Sequence, residues 1–246
     1  MNVLLMHLSA PMQSWGTQSR FTERDTGREP SKSGVIGLAS AALGRPRDQS
    51  PDDLSRLRMG VRVDREGTIL RDFHTAGGGS WLGRPYGVAK ADGSRITAGN
   101  AAKATVVSNR YYLADAVFLV GLEGEDRDLL ASIDAALASP RWPLCLGRKA
   151  FPPAEPIRLP QGLRTDTALE DALRTWPYLV ADRPGRRRDP ADSLRLIIEC
   201  PAGQDGEPRQ DVPLSFRSDA RDFSVRYVRE QWLPLDRLPQ EVTPCT

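Results

Sequence analysis

Residues 11–44, PMQSWGTQSRFTERDTGREPSKSGVIGLASAALG, constrain the fold most, because they join a strand, a long polar loop and a helix in one order. The strand is Val3–Leu8, apolar and nearly continuous, as a central strand of a sheet would be. The helix is Gly34–Leu43, built of small residues. Ser31 stands where an N-cap hydroxyl would satisfy a first-turn amide. Gly44 stands where a left-handed C-terminal cap wants glycine. Trp15 and Phe21 offer flat faces for bases, and Arg20, Arg24, Arg28 and Lys32 offer cations for phosphates. The helix N-terminus, with its free N–H groups and positive dipole end, suits one anchored phosphate. A solvated connection with Trp15 as a core lid is the plainer account, and the residues alone leave both open. Lys32–Ser33 is no P-loop, since Ser31 occupies the place where Walker A requires glycine.

Downstream, Met59–Asp64 alternates as a half-buried strand, and Glu66–Gly67 turns into Thr68–Phe73, which predicts a hairpin. Residues 75–103 then carry Gly77–Gly78–Gly79, Trp81, Tyr86 and scattered Arg84, Lys90, Arg95 and Lys103, without a sustained apolar face. That is too long for an ordinary connection, so it is a mobile loop or an extended arm that orders on a partner. Thr105–Leu113 and Ala116–Leu122 read as strands, and Glu125–Ala138 as an acid-headed helix ended before Pro140. A last strand near Ile157 completes a β-α-β-β-α-β order, which predicts an α+β, ferredoxin-like unit of RNA-recognition type over residues 1–160. Residues 161–246 are proline-punctuated, with strands expected at Ser193–Glu199, Val212–Phe216 and Phe223–Trp232, a small mainly β portion. Arg186–Arg187–Arg188 reads as a solvated tip.

Net charge is only +2 over 246 residues, so any polyanion site must come from local clustering. Three scattered cysteines lack metal-ligand spacing and point to a reduced interior. Neither a signal peptide nor a bilayer-spanning run is evident, so a soluble cytoplasmic protein without membrane contact is expected. No cofactor or metal motif is present. Metal-independent RNA cleavage needs a base and an acid, most often histidines, and His7 and His74 are the two in the chain. One lies in a strand and the other far along the sequence, so no catalytic residues are assigned.

Several separated blocks resemble the fifth family of CRISPR-associated proteins. Pro11–Met12–Gln13–Ser14–Trp15–Gly16 and Pro30–Ser31–Lys32–Ser33–Gly34–Val35–Ile36–Gly37, with the helix closing at Leu43–Gly44, are similar to its N-terminal signature. Leu70–Arg71–Asp72–Phe73–His74–Thr75, Tyr111–Tyr112–Leu113–Ala114–Asp115–Ala116, Pro140–Arg141–Trp142 and Leu146–Gly147–Arg148–Lys149 resemble its type I-E branch. The likeness covers about residues 1–160, weakens across Gln161–Asp211 and returns faintly near Phe223–Trp232.

The resemblance implies a palm, a thumb at about 75–109 inserted in it, and a small C-terminal domain at 161–246. It implies a non-catalytic subunit of the Cascade surveillance complex that grips the 5′ handle of the crRNA. Such a subunit caps the backbone-subunit filament, meets the large subunit, and reaches target DNA through guide pairing in the assembled complex. The family's glycine-rich loop falls on Gly147, Arg148 and Lys149. The expected RNA contacts are Gln13, Ser14, Trp15, Arg20, Arg24, Ser31, Lys32, Ser33, Arg45, His74, Arg110, Tyr111, Gly147, Arg148 and Lys149. The alternative is a metal-independent endoribonuclease that processes CRISPR precursor RNA, as some relatives do.

Overall fold

A computed structural model describes residues 1–16, 22–77, 80–81, 84–85, 105–180 and 192–239. The chain opens with β1 (Asn2–Ser9), two short strands β2 (Met12–Gln13) and β3 (Glu23–Arg24), then α1 (Lys32–Leu43) and α2 (Asp52–Ser55). Next come β4 (Arg58–Arg65), β5 (Thr68–Gly77), β6 (Ser80–Trp81), β7 (Arg84–Pro85), β8 (Thr105–Ala114), β9 (Val117–Gly124) and α3 (Arg127–Ala138). The remainder is β10 (Arg158–Arg164), α4 (Leu169–Thr175), β11 (Ser193–Cys200), β12 (Glu207–Ser215) and β13 (Asp222–Pro234). None of the described helices is long and apolar enough to cross a membrane.

The architecture mixes α and β with mostly antiparallel sheets. The large sheet has the order β10-β1-β9-β4-β11-β13-β12, and every neighbouring pair in it is antiparallel. Residues 3–6 and 8 of β1 are apolar because the strand is central and covered on both faces. Leu4, Met6 and Leu8 join the core under α1 and α3, while Val3 and Leu5 point the other way, toward α4. The period of two along each strand makes that division. Gly60 and Gly121 leave the space into which Leu169 and Leu173 of α4 fit.

α1 has the two caps its sequence predicts. The Ser31 hydroxyl accepts from the Gly34 N–H, and Gly44 ends the helix at φ 73. Its small residues let it lie close to α3, as Ala39 and Ala42 are buried between the layers.

The predicted hairpin of 59–64 with 68–73 does not form. β4 lies between β9 and β11 in the large sheet, and β5 leaves it at Gly67 to pair with β8 in a second one. Burial explains the choice. Met59, Val61 and Val63 are each at most 2 % exposed, whereas Ile69, Leu70 and Phe73 are 47, 45 and 68 % exposed. In the second sheet β8 has β5 along one edge and both β2 and β3 along the other, with β3 parallel.

β5 and β8 are paired from Thr68↔Ala114 to Gly77↔Thr105, so they form the two legs of whatever the expected arm becomes. Most of that arm, including Tyr86, lies outside the described residues, as do Arg20, Phe21 and Arg186–Arg187–Arg188.

The C-terminal strands continue the large sheet through β11 paired with β4, and β10 runs across residue 160. α4 was not anticipated; its buried Leu169, Ala172 and Leu173 make too short a pattern to stand out. A fully buried pair pins it. Arg62 binds Asp64 at 2.6 and 2.8 Å and donates to the carbonyls of Leu173, Trp176 and Pro177 at 2.6 to 2.8 Å.

Candidate nucleic-acid interface

The loop after β1 holds itself together before it can hold anything else. Gln13 is wholly buried; its amide donates to the Ala116 carbonyl at 2.8 Å and accepts from Trp15 Nε1 at 3.1 Å. Trp15 is 1 % exposed and lies over Gly34, whose missing side chain makes the room: a Cβ there would stand 2.8 Å from the indole ring. Trp15 therefore offers no face to a base. The expectation of a stacking platform is corrected by the ring's partnered N–H and its place in the core. Ser14 is likewise buried, its hydroxyl donating to the Tyr111 carbonyl at 3.4 Å.

The start of α1 is also already satisfied. The Lys32 N–H donates to Asp211 Oδ2 at 2.7 Å, so a carboxylate from β12 takes the place proposed for a phosphate. Lys32 Nζ, 2 % exposed as a side chain, holds both oxygens of Glu199 at 2.9 and 3.0 Å. Burial lowers the Lys32 pKa, and the Glu199 carboxylate beside it opposes that fall. Ser31 is spent on its cap, with Ser33 Oγ 3.4 Å from its own hydroxyl. Arg45 lies at the opposite end of α1, about 20 Å away by helical rise, in a two-pronged pair with Asp53 at 2.6 and 2.7 Å. Lys32 as a phosphate contact is corrected on the same ground: its charge is neutralised inside the fold.

A different group of the predicted residues does come together. The 146–151 loop crosses residue 14, with the Ser14 N–H donating to the Leu146 carbonyl at 3.2 Å. Gly147 makes the crossing possible: it has φ +89, and a Cβ there would be 1.7 Å from the Ser14 carbonyl oxygen.

Beyond Gly147, Arg148 turns onto β8. Its guanidinium sits 4.7 Å from the centre of the Tyr112 ring, and Nη2 donates to the Arg24 carbonyl at 3.2 Å. Nη1 is buried with no hydrogen-bond partner. Arg110 is two residues from Tyr112, on the same face of β8, with Nε donating to Ser108 at 3.0 Å. Burial pulls the Arg148 pKa below its ordinary range, Tyr112 opposes this, and the like charges of Arg110 and Arg24 add to the fall. Lys149 follows, exposed.

Across the strand pair, Asp72 accepts from the Tyr112 hydroxyl at 3.3 Å and lies 3.1 Å from His74 Nδ1. Tyr111 takes the opposite face. Tyr112, Phe151 and Asp72 were not among the predicted contacts. Strand periodicity was the signal available for Tyr112, since it places residues 108, 110 and 112 together.

The arginines near the start of α1 contrast with this cluster. A cavity of about 590 Å³ lies beside Trp15 and Ser31 and is lined by Arg195, Arg209 and Arg226. There Arg195 pairs with Glu66, Glu29 and Glu230, Arg209 with Glu207, and Arg226 with Asp211. Among the described residues, Arg110 and Arg148 have no carboxylate partner. Asp72 stands opposite Arg110 on the paired strand without an ion pair to either arginine, so both keep charge that an anion could meet.

Residues 3–229 match the family described as CRISPR-associated protein (Cas_Cas5). The CRISPR system Cascade subunit CasD of Escherichia coli K12 is 32 % identical over 169 residues, 63 % of this chain and 69 % of the relative. A solved structure described as a Cas protein is 41 % identical and superposes with a TM-score of 0.72 over 97 % of this chain and 98 % of its own. A chain of a CRISPR RNA-guided surveillance complex is 37 % identical, with a TM-score of 0.71 over 98 % of this chain and 95 % of its own.

Proposed function

The chain belongs to the Cas5 family of CRISPR-associated proteins, and on that premise we propose that it is a non-catalytic, cytoplasmic subunit of a Cascade-type surveillance complex. It grips the 5′ handle of the crRNA, caps the backbone-subunit filament and contacts the large subunit; target DNA is met only through the assembled particle. The likeness to CasD and to a chain of an RNA-guided surveillance complex supports this reading. The observation that carries it is the unneutralised group Arg148, Arg110 and Lys149 on the glycine loop and β8. Guide RNA held by its backbone needs cations of that kind, and no base reader.

The palm of this reading is ferredoxin-like. The strand order β10-β1-β9-β4, with α1 and α3 on one face, supports it, being the fourth-first-third-second order of a β-α-β-β-α-β unit. Residues 161–246 are the C-terminal unit, joined edge to edge with that palm through β11, and the thumb at about 75–109 rises from β5 and β8. The tagged chain, drawn from cells that carry its neighbouring genes, should bring down a heteromeric particle with short guide RNAs. Recovery of the chain alone, without guide RNA, would overturn this function.

A second reading, an endoribonuclease acting on CRISPR precursor RNA, has one observation in its favour. His74 is oriented by Asp72 on the face that bears Arg110. The partner proton-transfer group it would need is not supplied by His7, which lies in β1 of the other sheet. Incubation with repeat RNA separates the two readings: a defined cut that vanishes in His74→Ala would establish the nuclease.

A further inference from the structure

Arg148 is held on the face of an aromatic ring, with one nitrogen buried and unpartnered, and no carboxylate near it accounts for that pose. We propose that Tyr112 is the positioning residue of the phosphate site: its ring holds the Arg148 guanidinium in place for a single phosphodiester of bound RNA. The inference rests on the RNA-binding reading given above.

The ring is itself fixed. Phe151 meets it edge-on with centroids 4.9 Å apart and planes at 83°, and the Tyr112 hydroxyl donates to Asp72 at 3.3 Å. Tyr112 is 7 % exposed, so the ring is a wall and not a surface for bases. A guanidinium on an aromatic face is attracted by the ring quadrupole, most strongly where water is excluded. The contact leaves the edge of the guanidinium to make hydrogen bonds. Here Nη2 spends one on the Arg24 carbonyl at 3.2 Å, and Nη1 has none. Nη1 is closed off from solvent, so a phosphate meets the part of Arg148 that stays exposed, and Arg110 on the same face adds a second charge. Holding the cation on a ring instead of a carboxylate keeps its full charge available to RNA, which an ion pair would have cancelled. Because the guanidinium is already placed, less freedom is lost when RNA binds.

The test uses the full chain and a short single-stranded RNA carrying the handle of the guides recovered with the complex, with affinity measured over a range of salt. Each phosphate contact on a single strand contributes about 0.7 to the slope of log affinity against log salt. Tyr112→Phe keeps the ring and should bind with the wild-type slope. Tyr112→Leu removes the ring and should lower the slope by about 0.7, matching Arg148→Ala, with an affinity loss of about tenfold at moderate salt. The double variant Tyr112→Leu/Arg148→Ala should lose no more than either single one. Tyr112→Met, which fills the space without a π face, replaces Tyr112→Leu if the latter does not fold.

A folded ring-less variant with the wild-type slope overturns the proposal. So does Tyr112→Phe falling as far as Tyr112→Leu, for then the hydroxyl and Asp72 carry the effect. If Arg148→Ala itself binds with the wild-type slope, the fault lies with the RNA site and not with Tyr112 alone.

Discussion

The backbone N–H of Lys32 donates to Asp211 Oδ2 at 2.7 Å, a contact between residues 179 apart in sequence. Asp211 in turn holds Arg226 at 2.6 Å, and Lys32 Nζ holds Glu199 at 2.9 Å, so the start of α1 is tied to β11, β12 and β13 by buried charges. The helix end that most invites an anion is closed by the protein's own carboxylate.

Removing one member of that network should cost stability and leave the RNA affinity of the folded chain unchanged. Glu199→Ala leaves the Lys32 ammonium buried without its counter-charge, which costs about 3–5 kcal/mol. A urea titration should read this as a large fall in midpoint. Replacing both partners, as Lys32→Met with Glu199→Leu, should restore much of the loss, because the desolvation cost goes with the charges. A loss below about 1 kcal/mol for Glu199→Ala, within the range of exposed pairs, would show that water reaches the pair.

Gly147→Ala should damage the site as well as the fold. A Cβ there meets the Ser14 carbonyl oxygen at 1.7 Å, on top of the penalty for φ +89. Gly203, at φ +86 with nothing within 4 Å, separates the two effects. Gly203→Ala should cost about 1 kcal/mol of stability and leave RNA affinity unchanged. Gly147→Ala should cost more, and should lower RNA affinity because Arg148 moves with the displaced loop. Equal affinity for both variants would contradict this.

Replacing Arg148 and Lys149 together by alanine should flatten the salt dependence of RNA binding. Two lost contacts correspond to about 1.4 units of slope at 0.7 each. Arg45→Ala, which breaks a pair with Asp53 at the far end of α1, should leave the slope as it is. A wild-type slope for the folded double variant would reduce these cations to solvated surface.

His7 should make the chain acid-sensitive. Burial lowers its pKa below the ordinary 6.5, with Asp64 and Glu155 opposing, and its Nε2 has no hydrogen-bond partner. The folded state therefore prefers the neutral ring, while the unfolded chain takes a proton as pH falls through about 6.5. The unfolded state binds more protons in that window, so stability declines from pH 6.5 downward until the folded pKa is passed. His7→Leu should remove this part of the decline, measured as the urea midpoint at pH 7.5 and 5.5. An identical decline in wild type and variant would assign the acid sensitivity to other groups.

The strands at 2–9, 58–65, 105–114 and 117–124 and the helices at 32–43 and 127–138 were legible in the sequence, because their apolar periods are long and their caps are specific residues. Ser31, Gly44 and the end of α3 before Pro140 are decisions made within a few residues. The glycine loop was legible by its likeness to a family, with Arg148 named in advance. What no local pattern could carry was the choice of partner. β4 and β5 look like a hairpin, and their separation into two sheets follows from β4 being needed between β9 and β11.

The amino-acid order by itself settled most of the secondary structure of the core and the family likeness. Tertiary structure decided which of the many cations are available. Lys32 and Arg148 look alike in sequence, each a cation that follows a small residue in a polar loop. Folding sets Lys32 against Glu199 and Arg148 against Tyr112. A carboxylate cancels a charge and an aromatic face leaves it intact, and that difference depends on residues 167 and 36 positions away.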